Sequence, residues 1–406
     1  MLHTLALTLV LSAAPDADKS AAALKDLAAA LAERPADPAK LADKPFAAVP
    51  LTKADAAKAR EAIWAAHVAA RKLDRAEELK AKKLTDGKLE MPYDYKSFGK
   101  APAGGPSLWI SLHGGGNAPK AVNDGQWENQ KKLYTPDEGI YLAPRAPTNT
   151  WNLWHEGHID RLFARLIEDF VAVEGVNPDK VYVLGYSAGG DGVYQIAPRL
   201  ADRWAAASMM AGHPNDASPL SLRNVPFALQ VGGNDGAYNR NKVAAEWGKK
   251  LDELEKTDPM GYAHFVKIHE GKGHWMNLED KAALPWMAKR TRNAIPETVV
   301  WKQSGTTHDR SYWLAVPPGT AKGGSLVTAT RAGNAVDITA VENVATLVVR
   351  FDDRMQDLDK PVAVKLKGKE VFAGILSRTA GTLLRTLADR GDPALMFDAE
   401  TTVEVK

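Results

Sequence analysis

Gly185-Tyr186-Ser187-Ala188-Gly189 sets a serine between two glycines, directly after the apolar run Val181-Tyr182-Val183-Leu184. A strand that ends in Gly-x-Ser-x-Gly and continues as a helix holds the serine hydroxyl on a sharp, strained turn, poised as a nucleophile. The spacing alone arises by chance in glycine-rich chains, so its surroundings decide. Nucleophilic chemistry at a carbonyl also needs donors for an oxyanion, a base, and an acid that orients the base. All three occur, each after a strand-like run. Ser107-Leu108-Trp109-Ile110-Ser111-Leu112 leads into His113-Gly114-Gly115-Gly116. Bare amides there suit an oxyanion hole, formed by the N–H of Ala188 with that of Gly115 or Gly116. Val225–Val231 leads into Gly232-Gly233-Asn234-Asp235-Gly236, which offers Asp235 as the acid. Ala263–Ile268 leads into Glu270-Gly271-Lys272-Gly273-His274-Trp275, which offers His274 as the base. Asp191 is a poorer acid because it lies on the helix behind Ser187. His269 ends its strand, and His264 belongs to a strand face. The order Ser, Asp, His differs from that of the two common serine protease types.

From about Pro92 to Arg292 these motifs resemble the α/β-hydrolase fold. The matching pieces are Leu112-His113-Gly114-Gly115-Gly116, Gly185-Tyr186-Ser187-Ala188-Gly189-Gly190, Gly233-Asn234-Asp235 and Gly271-Lys272-Gly273-His274. Within that fold they are most similar to secreted bacterial esterases of the polyhydroxybutyrate-depolymerase and feruloyl-esterase-like branch. The resemblance implies a serine carboxylic-ester hydrolase working through an acyl-enzyme, with no cofactor and no metal. Short-acyl, aromatic, polyester and polysaccharide-linked esters all remain open. A serine peptidase of the prolyl-oligopeptidase kind is an alternative, although the N-terminal segment is too short and too helical for a propeller. An inactive hydrolase fold acting as a surface binding protein is another. Many members of the branch carry disulfides, whereas this chain has no cysteine. A neutral His274 is required as base, so activity is expected to rise with pH through roughly pH 6–7.

The elements that position these residues follow from patterning. Strands at 140–143, 181–186 and 205–211, with an amphipathic helix over 160–173 and another over 280–292, alternate as a mainly parallel, doubly wound sheet requires. Only residues 212–224 follow the strand that ends near Ala211, too few for a helical lid, so the site is expected to be open. Two loops, 117–138 and 145–158, look elaborated on the catalytic side of the sheet. Tyr186, Trp151, Trp154, Tyr238 and Trp275 are candidates to line a substrate cleft, with loop packing as the alternative for each Trp. His213 ends a strand near the site and is a candidate substrate contact or an anchor. His155-Glu156-Gly157-His158 has the wrong spacing for a zinc peptidase.

Four segments are expected. Residues 1–14 read as a signal peptide, with an apolar core at Leu5–Leu11 and small residues at Ser12-Ala13-Ala14, which implies a secreted or periplasmic protein. Residues 15–90 read as a helical region: Leu24, Leu27 and Leu31 share one face, Pro35 ends that helix, and Thr52 with Asp55 forms a capping box. Ile63, Ala66, Ala70 and Leu73 then carry an apolar stripe on a longer helix. Residues 91–295 form the α/β-hydrolase domain. Residues 296–406 form a β-rich accessory domain with one helix near 380–390. A polymer or polysaccharide contact is one role for this last segment, and a structural or dimerising role is the other. The chain has 406 residues, a net charge of +2 and no basic stripe with interleaved aromatics, which argues against a nucleic-acid partner. No run is long enough to span a bilayer.

Overall fold

The computed structural model describes residues 15–33 and 38–405, so the expected signal peptide and Pro35 lie outside the described residues. The chain divides into two compact units. One comprises residues 75–294 with 302–307; the other comprises the described residues up to 74 with 295–301 and 308–405.

The first unit is built on an eight-stranded sheet. Its strands are β1 (Lys83–Asp86), β2 (Leu89–Phe98), β3 (Leu108–Leu112), β4 (Gly139–Pro144), β5 (Val181–Tyr186), β6 (Ala206–Met210), β7 (Phe227–Gly232) and β8 (His264–His269). They lie side by side in the order β1-β2-β4-β3-β5-β6-β7-β8. The β1 and β2 strands form an antiparallel hairpin, β2 is antiparallel to β4, and every pair from β4 to β8 is parallel. This order and direction define an α/β-hydrolase fold. Every residue of β3, β4, β5, β6 and β7 is buried, which explains their near-continuous apolar runs: a parallel sheet is covered on both faces. The covering helices include α1 (Lys120–Gln130), α2 (Gly157–Ala172), α3 (Ala188–Arg199), α4 (Arg240–Thr257) and the short α5 (Ala283–Ala288).

Several sequence expectations change here. The loop expected over 117–138 contains α1, whose polar sequence buries only Asn123 and Gln130. The helix expected over 280–292 breaks into a 3-10 turn, Glu279–Ala282, and the six-residue α5, which contains Pro285. Residues 83–90, assigned to the helical region, instead form the hairpin that opens the sheet.

The second unit joins what the sequence separates. Leu27 and Ile63, on helices Ala17–Ala32 and Lys53–Asp74, share one apolar cluster with Leu383, Leu384 and Leu387 of helix Ala380–Arg390. Pro50–Leu51 pairs with Arg378–Thr379, and the Arg60 guanidinium donates to the Met396 carbonyl at 2.6 Å and to Asp398 at 2.9 Å. The N-terminal helices and the C-terminal β-rich segment therefore form one body, because each supplies the apolar face that buries the other. The capping box forms, with the Asp55 amide donating to Thr52 Oγ1 at 3.2 Å. The buried stripe is Ala56, Ala59, Ile63 and His67, while Leu73 is exposed. The strands of this unit form sheets of five and four strands. Of its large aromatics, Trp301, Tyr312, Trp313, Phe351 and Phe397 are buried, while Phe46, Trp64 and Phe372 are half-buried.

Candidate active site

Ser187, the candidate nucleophile, sits where β5 stops and α3 starts. Ser187 adopts φ 58°, ψ −123°, a conformation that costs an L-residue about 1–3 kcal/mol. Its surroundings hold it there. The Ser187 amide donates to the Met210 carbonyl of β6 at 2.9 Å, and its own carbonyl accepts from the Asp191 amide at 3.0 Å. The flanking glycines are steric necessities. A Cβ on Gly185 would lie 2.2 Å from the Gly189 carbonyl oxygen, and one on Gly189 would lie 2.2 Å from that of Leu112.

Asp235, in the loop after β7, is buried, and His274 lies in the loop after β8. His274 Nδ1 lies 2.8 Å from Asp235 Oδ2, and its Nε2 lies 2.9 Å from Ser187 Oγ. Nδ1–H donates to the carboxylate, which leaves Nε2 to accept the serine proton. The rival residues are engaged elsewhere. Asp191 accepts the His213 amide at 2.6 Å, His269 packs on Gln230 at 2.9 Å, and His264 meets Asp252 at 2.9 Å.

The His274 loop is held at its centre and at both ends. The Tyr186 hydroxyl accepts the Met276 amide at 3.1 Å and donates to the His274 carbonyl. Burial raises the Tyr186 phenol well above its ordinary range, so it stays a neutral donor. Lys272 and Glu279 pair at 2.8 Å, and Gln230 donates to the Asp280 carbonyl. Tyr134 donates to the Asp280 carboxylate.

His113, Asn123 and Trp154 fix the glycine loop after β3. His113 is fully buried, its Nδ1 lies 2.6 Å from the Gly114 carbonyl, and its Nε2 accepts the Ala146 amide at 3.1 Å. Burial pushes this imidazole down to about 4, so it stays neutral, with Nδ1–H as the donor. Asn123 of α1 accepts the Gly116 amide at 2.8 Å. That bond removes Gly116 as an oxyanion donor. The Gly115 amide has no hydrogen-bond partner among the described residues, which leaves it to pair with Ala188. No sequence signal marks Asn123, because its partner lies in a loop that ends before α1 begins.

Two depressions flank Ser187. The larger, about 710 Å³, is mainly apolar, with Tyr186, Trp275, Val122, Leu133 and Leu278 beside Ser187 and His274. The smaller, about 300 Å³, adjoins Gly115, Gly116 and Ala188 and holds Trp151, His213 and Tyr238. Trp151, Tyr238 and Trp275 are 59 %, 76 % and 49 % exposed and ring an open site. Trp154 does not line it. Its ring is fully buried, and its indole N–H donates to the His113 carbonyl at 2.9 Å, so it anchors the glycine loop. Among the described residues no helix is long and apolar enough to cross a membrane.

The fold and this site define an α/β-hydrolase carrying a serine, a histidine and an aspartate in hydrogen-bonded sequence. No family model and no curated protein matches the chain. Among solved structures, a thermostable esterase aligns at 17 % identity over 52 % of this chain and 62 % of its own, with a TM-score of 0.41. The LpqC poly(3-hydroxybutyrate) depolymerase from Bordetella parapertussis aligns at 15 % identity over 54 % of this chain and 94 % of its own, with a TM-score of 0.39. A ferulic acid esterase aligns at 16 % identity over 51 % and 96 %, with a TM-score of 0.34.

Proposed function

We propose that the protein is a serine carboxylic-ester hydrolase that works through an acyl-enzyme. The observation that carries this reading is the continuous chain from Asp235 through His274 to Ser187, at 2.8 and 2.9 Å, beside the uncommitted amide of Gly115. His274 Nε2 takes the Ser187 proton as Oγ bonds to the ester carbonyl carbon. The carbonyl electron pair moves onto oxygen, where the amides of Ala188 and Gly115 receive it. The imidazolium returns its proton to the alkoxy oxygen as the carbon–oxygen bond breaks, and the alcohol leaves. Water then attacks the acyl-enzyme, His274 takes its proton, and Ser187 departs with that proton restored.

The two depressions divide the substrate. A leaving alcohol must lie within reach of His274, so it occupies the larger, apolar cleft. The acyl group then points past Ala188 into the smaller one. The open rim suits an ester carried on a bulky or polymeric alcohol. The C-terminal β-rich segment plays no part in this reading.

Hydrolysis of p-nitrophenyl esters from acetate to decanoate, by the wild type and Ser187→Ala side by side, tests the proposal. The substitution should lower the rate on the order of 10⁴–10⁶-fold. A wild type inactive on every ester but active on peptide anilides would instead make it a peptidase. Inactivity on both would leave a binding protein.

A further inference from the structure

Arg240 is a charged group at this site that the proposed reaction leaves unused. It opens α4, five residues after Asp235, and lines the smaller depression with Ala188, Gly115, His213 and Tyr238. Its side chain is only 12 % exposed. Among the described residues its guanidinium makes no hydrogen bond, and its Nε is sealed from solvent without a partner. Its contacts are an ion pair at 3.9 Å with Asp235 Oδ1 and a place 4.8 Å over the Tyr238 ring. Asp235 directs its other oxygen to His274.

The position is costly in two ways. A cation in the first turn of a helix faces the positive end of the backbone dipole. The turn that delivers it puts two consecutive side-chain-bearing residues, Tyr238 and Asn239, in the left-handed region at φ 54° and 56°. A nearly buried guanidinium with all its donors unspent, on the acyl side of a nucleophilic serine, is a carboxylate receptor in form: the planar fork takes two oxygens at once. Asp191 is the acidic group that shares the depression. Its carboxyl is occupied by the His213 amide, and burial raises it to about 6.

We infer that the smaller depression selects acyl groups that end in a carboxylate, so the preferred substrates are half-esters of short dicarboxylic acids, with Arg240 holding the distal carboxylate. This inference rests on the proposed ester hydrolysis for its catalytic consequence but not for its binding consequence.

The test compares mono-p-nitrophenyl glutarate, which is anionic, with p-nitrophenyl butyrate, which is neutral, on wild type, Arg240→Gln and Asp191→Asn. Because Arg240 also neighbours Asp235, the readout is the ratio of kcat/KM for the two esters rather than either value. The ratio should fall about tenfold or more in Arg240→Gln and rise in Asp191→Asn. Free glutarate should inhibit the wild type competitively, whereas neutral glutaramide should not. An unchanged ratio in Arg240→Gln, with both esters slowed alike, would show that Arg240 acts only through Asp235 and would overturn the inference. If the wild type hydrolyses neither ester, the hydrolase proposal fails by itself. Calorimetric titration of the full-length protein with glutarate then decides the site: binding lost in Arg240→Gln sustains the receptor, and no binding to the wild type refutes it.

Discussion

Tyr186→Phe removes one oxygen atom and tests how His274 is held. The ring itself stays, edge-on to His274 at 5.9 Å and tilted against Trp275 at 5.6 Å. The two hydrogen bonds at the hydroxyl disappear. Met276 is fully buried, so its amide loses its partner where water cannot replace it, a cost of about 1–3 kcal/mol. The loop relieves that cost by shifting, and a shift carries His274 away from Ser187. A bias of that size against the aligned loop corresponds to a fall of about 5- to 150-fold in kcat. KM for a short ester should change little, because the hydroxyl is turned into the loop rather than toward substrate. Steady-state kinetics with p-nitrophenyl butyrate, alongside thermal unfolding, makes the comparison. If the melting temperature drops while kcat stays within about twofold of wild type, the hydroxyl serves the fold alone and the positioning argument is wrong.

Two further substitutions probe the glycine loop. Asn123→Ala frees the Gly116 amide and loosens the turn that presents Gly115, so kcat should fall about tenfold, with acyl chain-length preference unchanged; an unchanged kcat would mean the loop holds its shape without Asn123. His113 is held at about 4, below an ordinary histidine near 6.5. The unfolded chain therefore takes up a proton that the folded chain refuses, and the stability His113 contributes is full above about 6.5 and lost as pH falls toward about 4. Other buried groups shift in both directions, so the wild type must be compared with His113→Gln. The difference in their unfolding free energies should shrink by about 2 kcal/mol from pH 7 to pH 5. A difference that is constant with pH, measured by urea denaturation, would show that His113 takes up protons equally in both states.

The proposed nucleophile, acid and base stood out because each lies in a glycine-bearing loop just after a strand-like run, a local pattern that needs no knowledge of the fold. Local patterning likewise marked β3, β5, β6, β7 and β8, and the helix at 380–390. What escaped was held by distant contacts or hidden by polar sequence. The α1 helix, Lys120–Gln130, has Asn123, Asp124, Gly125 and Gln126 at its centre and reads as a loop. The α4 helix buries only Ala244, Trp247, Gly248 and Leu251. Trp151 and Trp154 look alike in sequence, yet one is exposed at the site and the other fully buried against Gly192, where any Cβ would lie 2.5 Å from the Trp154 Cβ. The pairing of the N-terminal helices with residues 380–387 spans most of the chain, and periodicity names a helix's apolar face but not its partner. Arg240 carried no signal, because a helix-initial arginine reads as solvated charge.

The central claim is that Ser187 is a nucleophile activated by His274. Labelling with an alkyl fluorophosphonate tests it most directly, since attack on phosphorus expels fluoride and leaves a stable adduct on the attacking oxygen. The account predicts one adduct per chain, located at Ser187 by peptide mass analysis, with ester hydrolysis lost in step with labelling and labelling slowed by orders of magnitude in His274→Ala. Ester hydrolysis that persists in a fully exposed sample with no adduct, or with an adduct on another residue, would contradict it.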